Sequence, residues 1–344
     1  METGRFVTMA DVAVSARAST RDVALVVAAD ARVAADLRHR IANVIQTSGY
    51  RPLKAIQGRL GRPLRLAIVL KTFRGDDPEA NRFYAPVVSA IAQSCLKYGT
   101  KIVEARMIVD DHYGMLEVPA ALTDGSCDAA FLVGAQVGGL VIEQSRAACP
   151  IVLVDGYSVG DRLDSVVTDN VAGAAMALEH LIEAGHREIA LLGTEPVCYP
   201  SMQGRRTGYM ATLEARGMRT HFMDTGYVLG EAVAILGVDY VKRHPSVTAV
   251  FGANDAIVVH FLQLVRDAGY RVPDEMSLVG FDDIDLASLV MPTLTTLAID
   301  KRLMGRAGFA LLAHRLEVHA AEPVHIVLMP SLIQRESVAP PNPR

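Results

Sequence analysis

From residue 66 to the C-terminus, the chain alternates short apolar runs with longer stretches of helical spacing. The runs fall at 66–70, 101–107, 129–133, 151–154, 188–192, 248–251 and 277–279, a pattern that predicts strands buried in a parallel sheet. Between them, residues 172–183, closed by Gly185, and 256–268, closed by Gly269, carry the apolar period of crossover helices. Strand and helix in alternation predict a doubly wound α/β body, with enough elements for two similar halves.

Ahead of residue 66 the pattern is helical only. Thr8-Met9-Ala10-Asp11 has the T-x-x-D form in which a hydroxyl and a carboxylate satisfy free amides at a helix start, and Met9, Val12 and Ala13 supply an apolar face. Ser19-Thr20-Arg21-Asp22 repeats the signature ahead of Val23, Val26 and Val27. A third helix, from about Val33, places Leu37, Ile41, Val44 and Ile45 on one stripe and ends at Gly49. Three short helices around a small core, the second after a tight turn, fit a helix-turn-helix unit that sets its second helix into the DNA major groove. Thr20, Arg21 and Leu25 would then face the base edges. Capping boxes are common in helical proteins, so the segment also fits a three-helix cap with solvated charges.

Charge favours the first reading. The net charge is -4, but residues 1–65 hold eleven Lys and Arg against five Asp and Glu, while the rest holds 23 against 33. A basic head on an acidic body suits a polyanionic partner. At 344 residues with 51% hydrophobic and 21% charged residues, the chain has material for two or three cores and none of the composition of extended disorder. No apolar run resembles a secretory signal or reaches membrane-spanning length, so a cytoplasmic protein without membrane association is expected. Cys95, Cys127, Cys149 and Cys198 lack CxxC or Cys/His ligand spacing, which predicts free thiols and no metal site. The chain has no G-x-S-x-G, P-loop or metal-spaced histidine set, and no G-x-G-x-x-G after its first strand. Neither an enzyme nor a cofactor is expected, and His186, in a turn before a strand, reads as structural.

In open α/β sheets, ligands sit at the carboxyl ends of the strands. The polar residues there are Asp155, Asn254, Asp255, Asp282 and Asp283. Each alone can cap the next helix, and together they outline a pocket.

The head resembles that of the lac repressor (LacI/GalR) family without a gap, through Val7-Thr8-Met9-Ala10-Asp11-Val12-Ala13, the Ser19 and Val23 spacing, and Gly49-Tyr50-Arg51-Pro52. The resemblance implies a helix-turn-helix domain over 6–52, with Thr8, Ser19, Thr20, Arg21, Leu25, Arg32 and Tyr50 at the DNA. It also implies a hinge over 53–64, from which a leucine wedges into the minor groove. Leu25 replaces a base-reading arginine of the family, leaving Arg21 to supply the guanidinium. Arg59 stands at the wedge position, with Leu60 one residue later and Ile56 one turn before Leu60.

The body resembles the same family and the periplasmic sugar-binding fold. The matching segments include Ile151-Val152-Leu153-Val154-Asp155, Asp169-Asn170, Gly185-His186-Arg187 and Arg205-Arg206-Thr207-Gly208-Tyr209. Further along come Ala253-Asn254-Asp255, Val279-Gly280-Phe281-Asp282-Asp283 and Pro292-Thr293-Leu294-Thr295-Thr296. The resemblance implies a periplasmic-binding-protein-like body with one lobe over 65–167 and 297–323 and a second over 168–296 and 324–337. A sugar-like effector between the lobes would meet Asp155, Arg205, Asn254 and Asp282, whose carboxylates, amide and guanidinium fork suit polyols. Asn81, Arg82, Phe83 and Tyr84 resemble the family's N-P-F-F/Y turn, with Arg82 in place of proline. Residues 74–79 form an acidic insertion that reads as a solvated excursion. Lys301 falls where an aromatic often lines the pocket; with Arg82 it hints at an anionic effector, although exposed surface charge explains it as well.

The partners so implied are a palindromic double-stranded operator, a second copy in a homodimer and a small sugar or sugar derivative. No heptad follows Pro330, so no coiled-coil tetramer is expected. A reading from another class remains open: a cytoplasmic sugar-binding sensor whose divergent head no longer recognises DNA.

Overall fold

The computed structural model describes residues 7–73, 83–110, 116–138, 149–158, 160, 162–196, 198–223, 231–318 and 322–342, with backbone alone at 55 and 231–233. It divides into two compact units, Met1–Val167 with Asp300–Val327 and Thr168–Ile299 with Leu328–Arg344.

The first unit begins with the head: α1 (Met9–Ala16), α2 (Thr20–Val27) and α3 (Ala35–Ser48). Both expected capping boxes form. The Thr8 hydroxyl accepts from the Asp11 amide at 3.2 Å and the Ser19 hydroxyl from the Asp22 amide at 3.1 Å, while each Asp side chain returns the bond to the cap backbone. Arg17 ends α1 at φ 51°, a left-handed conformation that costs a non-glycine residue about 1–2 kcal/mol. The third helix starts at Ala35 without a side-chain cap, later than its stripe suggested, and Gly49 ends it at φ +67°. Met9, Val12, Val23 and Ile41 form the buried centre, with Leu37, Val44 and Ile45 half-buried. After Leu53, at φ 65°, α4 spans Lys54–Leu60.

The same unit carries β1 (Arg65–Phe73), α5 (Ala85–Lys97), β2 (Lys101–Val109), β3 (Ala129–Val133), β4 (Gln136–Val137), β5 (Ile151–Val154), β6 (Tyr157–Ser158) and β7 (Asp164–Thr168). Its six-stranded sheet runs β13-β7-β5-β3-β1-β2, where β13 is His325–Leu328, and β2, β1, β3, β5 and β7 pair in parallel. The second unit holds α6 (Asn170–Glu183), β8 (Ile189–Leu192), α7 (Pro200–Ala215), β9 (His221–Met223), α8 (Glu231–Arg243), β10 (Ala249–Gly252), α9 (Asp255–Asp267), β11 (Ser277–Asp282), β12 (Thr295–Ala298) and β14 (Ser331–Ile333). Its sheet, β14-β12-β11-β10-β8-β9, is parallel apart from the β12–β14 pair. The last long helix, α10 (Lys301–Glu317), returns the chain to the first unit.

All seven runs expected as buried strands are strands, but the second, β2, lies at the sheet edge with Lys101, Glu104 and Arg106 exposed, because its apolar positions alternate with charged ones. Short or polar ones had no apolar run to announce them. Asp164 in β7 is buried because Arg315 grips both its oxygens at 2.6 and 2.7 Å, and Thr295 and Thr296 in β12 are buried with partners of their own. Two further placements fit the body's sequence. The Tyr209 hydroxyl donates to the Ile189 carbonyl at 2.8 Å and accepts from the His221 amide at 2.7 Å, so it joins β8 to β9. His186 is buried between the Thr248 and Ser277 hydroxyls, each at 2.9 Å, and burial lowers its pKa, in keeping with a structural role.

Candidate functional site

Each functional face is built from residues within one unit. On the head, Ser19 caps α2, Thr20 opens it, and Arg21 is exposed one residue further along. Leu25 is half-buried, and Thr8 is engaged in its capping box. The Arg32 guanidinium is paired with Asp30, Nε to Oδ1 and Nη2 to Oδ2, both at 3.1 Å. Tyr50 is buried, with its hydroxyl 3.3 Å from a Glu317 oxygen. On α4, Ile56 is 9% exposed and Leu60 46%, with Arg59 exposed beside it. Gln57 fastens this helix to the body, donating to the Tyr98 carbonyl at 2.9 Å and accepting from the Leu64 amide at 3.4 Å. The head also rests on α10, where α2 packs and the Arg306 Nε donates to the Ala28 carbonyl at 2.6 Å.

At the carboxyl ends of the first unit's strands, Asp155 follows β5 at φ 48° and is buried. A left-handed aspartate stores about 1–3 kcal/mol of strain, which is concentrated at functional positions. The Tyr84 hydroxyl donates to Asp155 Oδ2 at 2.8 Å. Gly134, at φ +70° after β3, leaves the space that the Tyr84 ring occupies, so any side chain there would overlap the ring. Phe83 meets Tyr84 edge to face at 4.9 Å, and the Lys301 ammonium lies 5.6 Å from the Phe83 ring centre. Asn81 and Arg82 lie outside the described residues. Lys71, near the end of β1, is 8% exposed and sits 5.4 Å from the Phe73 ring and 6.0 Å from that of Tyr84. Sequence reading closed that strand at Leu70, one residue short of Lys71, although a charge ending an apolar run at a strand's carboxyl end was the available signal.

In the second unit the centre is Arg205, 5% exposed on α7. Its Nε donates to Asn170 Oδ1 at 2.9 Å, Nη1 to the Ala253 carbonyl, and Nη2 to Asp282 Oδ1 at 3.1 Å. The guanidinium lies 3.7 Å from the Phe281 ring centre. Asp282 and Asp283 follow one another at φ 108° and 47°, and Asp283 pairs with Arg335 at 2.7 Å. Asn254 caps α9, its side-chain oxygen accepting from the Ile257 amide at 2.9 Å. Asp255 is fully buried, accepting from Thr296 at 2.6 Å and the Ile284 amide at 3.0 Å, and burial with the neighbouring Asp282 pushes its pKa up to about 7. That donor set ties Asp255 to β12 and to the turn that follows Asp283. Asn170 and Phe281, which fix the Arg205 fork, stand in segments that resemble the family but carry no site role in the sequence reading, because an amide and an aromatic have no motif of their own.

The arrangement is a head of three short helices followed by two α/β units, with left-handed acids at Asp155 in the first and at Asp282 and Asp283 in the second. A family model for a periplasmic binding protein-like domain matches residues 178–338. The ribose operon repressor of Escherichia coli K12 is 28% identical over 96% of this chain and 99% of its own. The HTH-type transcriptional regulator CelR of Thermobifida fusca is 27% identical over 98% of this chain and 100% of its own. Among solved structures, a complex of the transcriptional regulator CelR with cellobiose is 25% identical at a TM-score of 0.66, covering 96% of this chain and 99% of that one. Along nearly its whole length the chain is thus similar to sugar-operon repressors and to a solved transcriptional regulator of this kind.

Proposed function

We propose that the protein is the repressor of a carbohydrate-use operon, a homodimer whose affinity for a palindromic operator changes when a small sugar-like effector binds. The carrying observation is that the match to an operon repressor runs through head and body alike, over 96% of this chain. The exposed start of α2 supplies Thr20 and Arg21 for bases, and the strand ends supply Asp155, Arg205, Asn254 and Asp282 for hydroxyls. An effector that prefers one arrangement of the body shifts the population towards it, and the same coupling free energy acts on operator affinity.

The reading makes the protein cytoplasmic and non-catalytic; among the described residues no helix is long and apolar enough to cross a membrane. Operator binding measured at fixed salt, against random DNA and with and without a panel of sugars and sugar derivatives, tests it. Discrimination that shifts with one panel member supports the proposal. Equal affinity for operator and random DNA, with a sugar still bound, would instead establish a sensor whose head no longer reads DNA.

A further inference from the structure

Two of the four cysteines meet at the amino ends of the first unit's strands, opposite the carboxyl ends that carry Asp155. Cys127 stands two residues ahead of β3 and Cys149 two residues ahead of β5, and these strands pair in parallel with Ala130 beside Ile151. Both thiols are free, each cysteine is 4% exposed, and the sulfurs lie 3.8 Å apart. A closure of under about 2 Å brings them to the disulfide bond length. The Cys127 thiol also donates to the Ala121 carbonyl at 2.9 Å. Hydrogen bonding with Cys149 lowers the Cys127 pKa, against burial and the nearby Asp128 and Asp124; the same contact, with burial, raises that of Cys149. Cys127 therefore ionises first, which makes it the attacking sulfur and Cys149 the resolving one. Residues 123–125 beside Cys127 are exposed, so opening of that turn admits a small oxidant.

The residue after Cys127 fastens the connection between α4 and β1. The Asp128 carboxylate accepts both terminal nitrogens of the Arg62 guanidinium, at 2.7 and 2.8 Å, and the Arg65 amide at 2.8 Å. Arg65 Nη2 donates to Asp128 at 3.1 Å and to the Gly125 carbonyl at 3.0 Å. In the sheet, β3 lies between β1 and β5. Drawing Cys127 towards Cys149 thus draws this segment away from β1 and from the two arginines.

We propose that Cys127 and Cys149 form a reversible redox site: hydrogen peroxide closes them into a disulfide, and the closure loosens the Asp128 grip on Arg62 and Arg65 at the foot of α4. The Cys127 thiolate attacks one peroxide oxygen, the O–O bond breaks, and the leaving hydroxide takes up the proton that Cys127 released. This step gives one water and a sulfenic acid on Cys127. The Cys149 sulfur then attacks the sulfenic sulfur, the S–O bond breaks, and the Cys149 proton leaves with the hydroxide as a second water. Together the two thiols lose two electrons and one peroxide gains them. A thiol reductant restores the pair by thiol–disulfide exchange and is itself oxidised to its disulfide, so in a reducing compartment the bond is transient. The bond and the loosened grip do not depend on the protein's being a repressor. A change in operator affinity on oxidation rests on that reading.

Full-length reduced protein is exposed to hydrogen peroxide, alkylated in denaturant and mapped by mass spectrometry. The expected product is a cross-linked peptide pair, Cys127 with Cys149, that dithiothreitol reverses. A sulfenic-acid trap should label Cys127 in Cys149→Ala and leave Cys149 unlabelled in Cys127→Ala. The Arg65 amide, whose acceptor is Asp128, should exchange its hydrogen roughly ten times faster in the oxidised wild type and at an unchanged rate in peroxide-treated Cys149→Ala. Operator affinity should fall about threefold or more on oxidation of the wild type and recover with dithiothreitol. The wild-type mapping and exchange decide the matter even where an alanine variant loses stability. Absence of the Cys127–Cys149 bond at peroxide doses that oxidise the partly exposed Cys198 overturns the proposal, and so does a bond that leaves Arg65 exchange unchanged. Operator affinity indifferent to oxidation, in a protein that still tells operator from random DNA, overturns the link from the bond to DNA. Failure of the reduced protein to tell the two DNAs apart overturns the repressor reading instead, while the mapping and exchange results still settle the redox site.

Discussion

The Glu317 carboxylate accepts the backbone amide of Met9 at 2.7 Å, joining the last turn of α10 to the first turn of the head across 308 residues of sequence. The same carboxylate takes the Tyr50 hydroxyl at 3.3 Å, so one acid binds two segments of the head to the body. Burial pushes the Glu317 pKa up from 4.5 to about 7. A carboxyl raised in the folded state contributes stability that is full below its unfolded value and is lost as pH rises through its folded value. Docking of the head should therefore weaken between about pH 4.5 and 7, by at most about 3 kcal/mol, and stay constant above that window. Hydrogen exchange at the Met9 amide reads the effect, and Glu317→Gln should flatten it. An unaltered pH slope in that variant would reject Glu317 as the titrating group.

Arg21 is exposed at the start of α2, one turn ahead of the half-buried Leu25. Arg21→Ala should lower operator affinity by about 1–3 kcal/mol, the worth of a bidentate base contact, and leave random-DNA affinity nearly unchanged at the same salt. Equal losses on the two DNAs would make Arg21 a phosphate contact.

On α4, burial separates the hinge candidates. Ile56 is 9% exposed and Leu60 46%, so only the second can enter a minor groove without leaving a packed site. Leu60→Ala should reduce operator bending, read by energy transfer between labelled DNA ends, and cost about 1–2 kcal/mol of operator affinity while the melting temperature holds. Ile56→Ala should show the reverse, losing roughly 2 kcal/mol of stability with bending retained. Bending lost only with Ile56 would reverse the assignment.

What sequence made legible was whatever follows a period or a local cap. The seven strand runs, the capping boxes at Thr8 and Ser19, and the glycine stops at Gly49, Gly185 and Gly269 all depend on neighbours within a few residues. The polar strands β7 and β12 were not legible, because what buries Asp164 is Arg315, and what buries Thr296 is Asp255. The site divides the same way. Acids after strands could be marked from position alone, but Lys71 ended a run assumed to be wholly apolar, and Asn170 meets Arg205 only through packing of α6 on α7. Gly208 allows that approach: an added methyl would overlap the Val171 carbonyl and the Ala174 side chain. Asn254 shows the limit of strand-end reasoning, since it caps a helix as an acid or amide there commonly does.

Arg205 offers the clearest test of the second unit's role. Its guanidinium is fixed on three sides by Asn170, the Ala253 carbonyl and Asp282, and on its face by Phe281, before any ligand arrives. A donor held this rigidly loses little entropy on binding, and each bond from a charged group is worth about 1.5–3 kcal/mol. Arg205→Ala should thus weaken effector binding at least tenfold. It should also leave Asp282 without its cation next to Asp255, whose pKa already stands at about 7, so the variant should lose stability as well. Arg205→Lys should not restore affinity, because an ammonium keeps the charge but cannot reach Asn170, Ala253 and Asp282 in one plane. Operator affinity without effector should stay within about twofold, since the head belongs to the other unit. Calorimetry with the bound effector, alongside operator titration of the same preparations, checks both halves: unchanged effector affinity in Arg205→Ala would reduce the residue to a structural pin and remove the basis for giving Asn254 and Asp282 a part in binding.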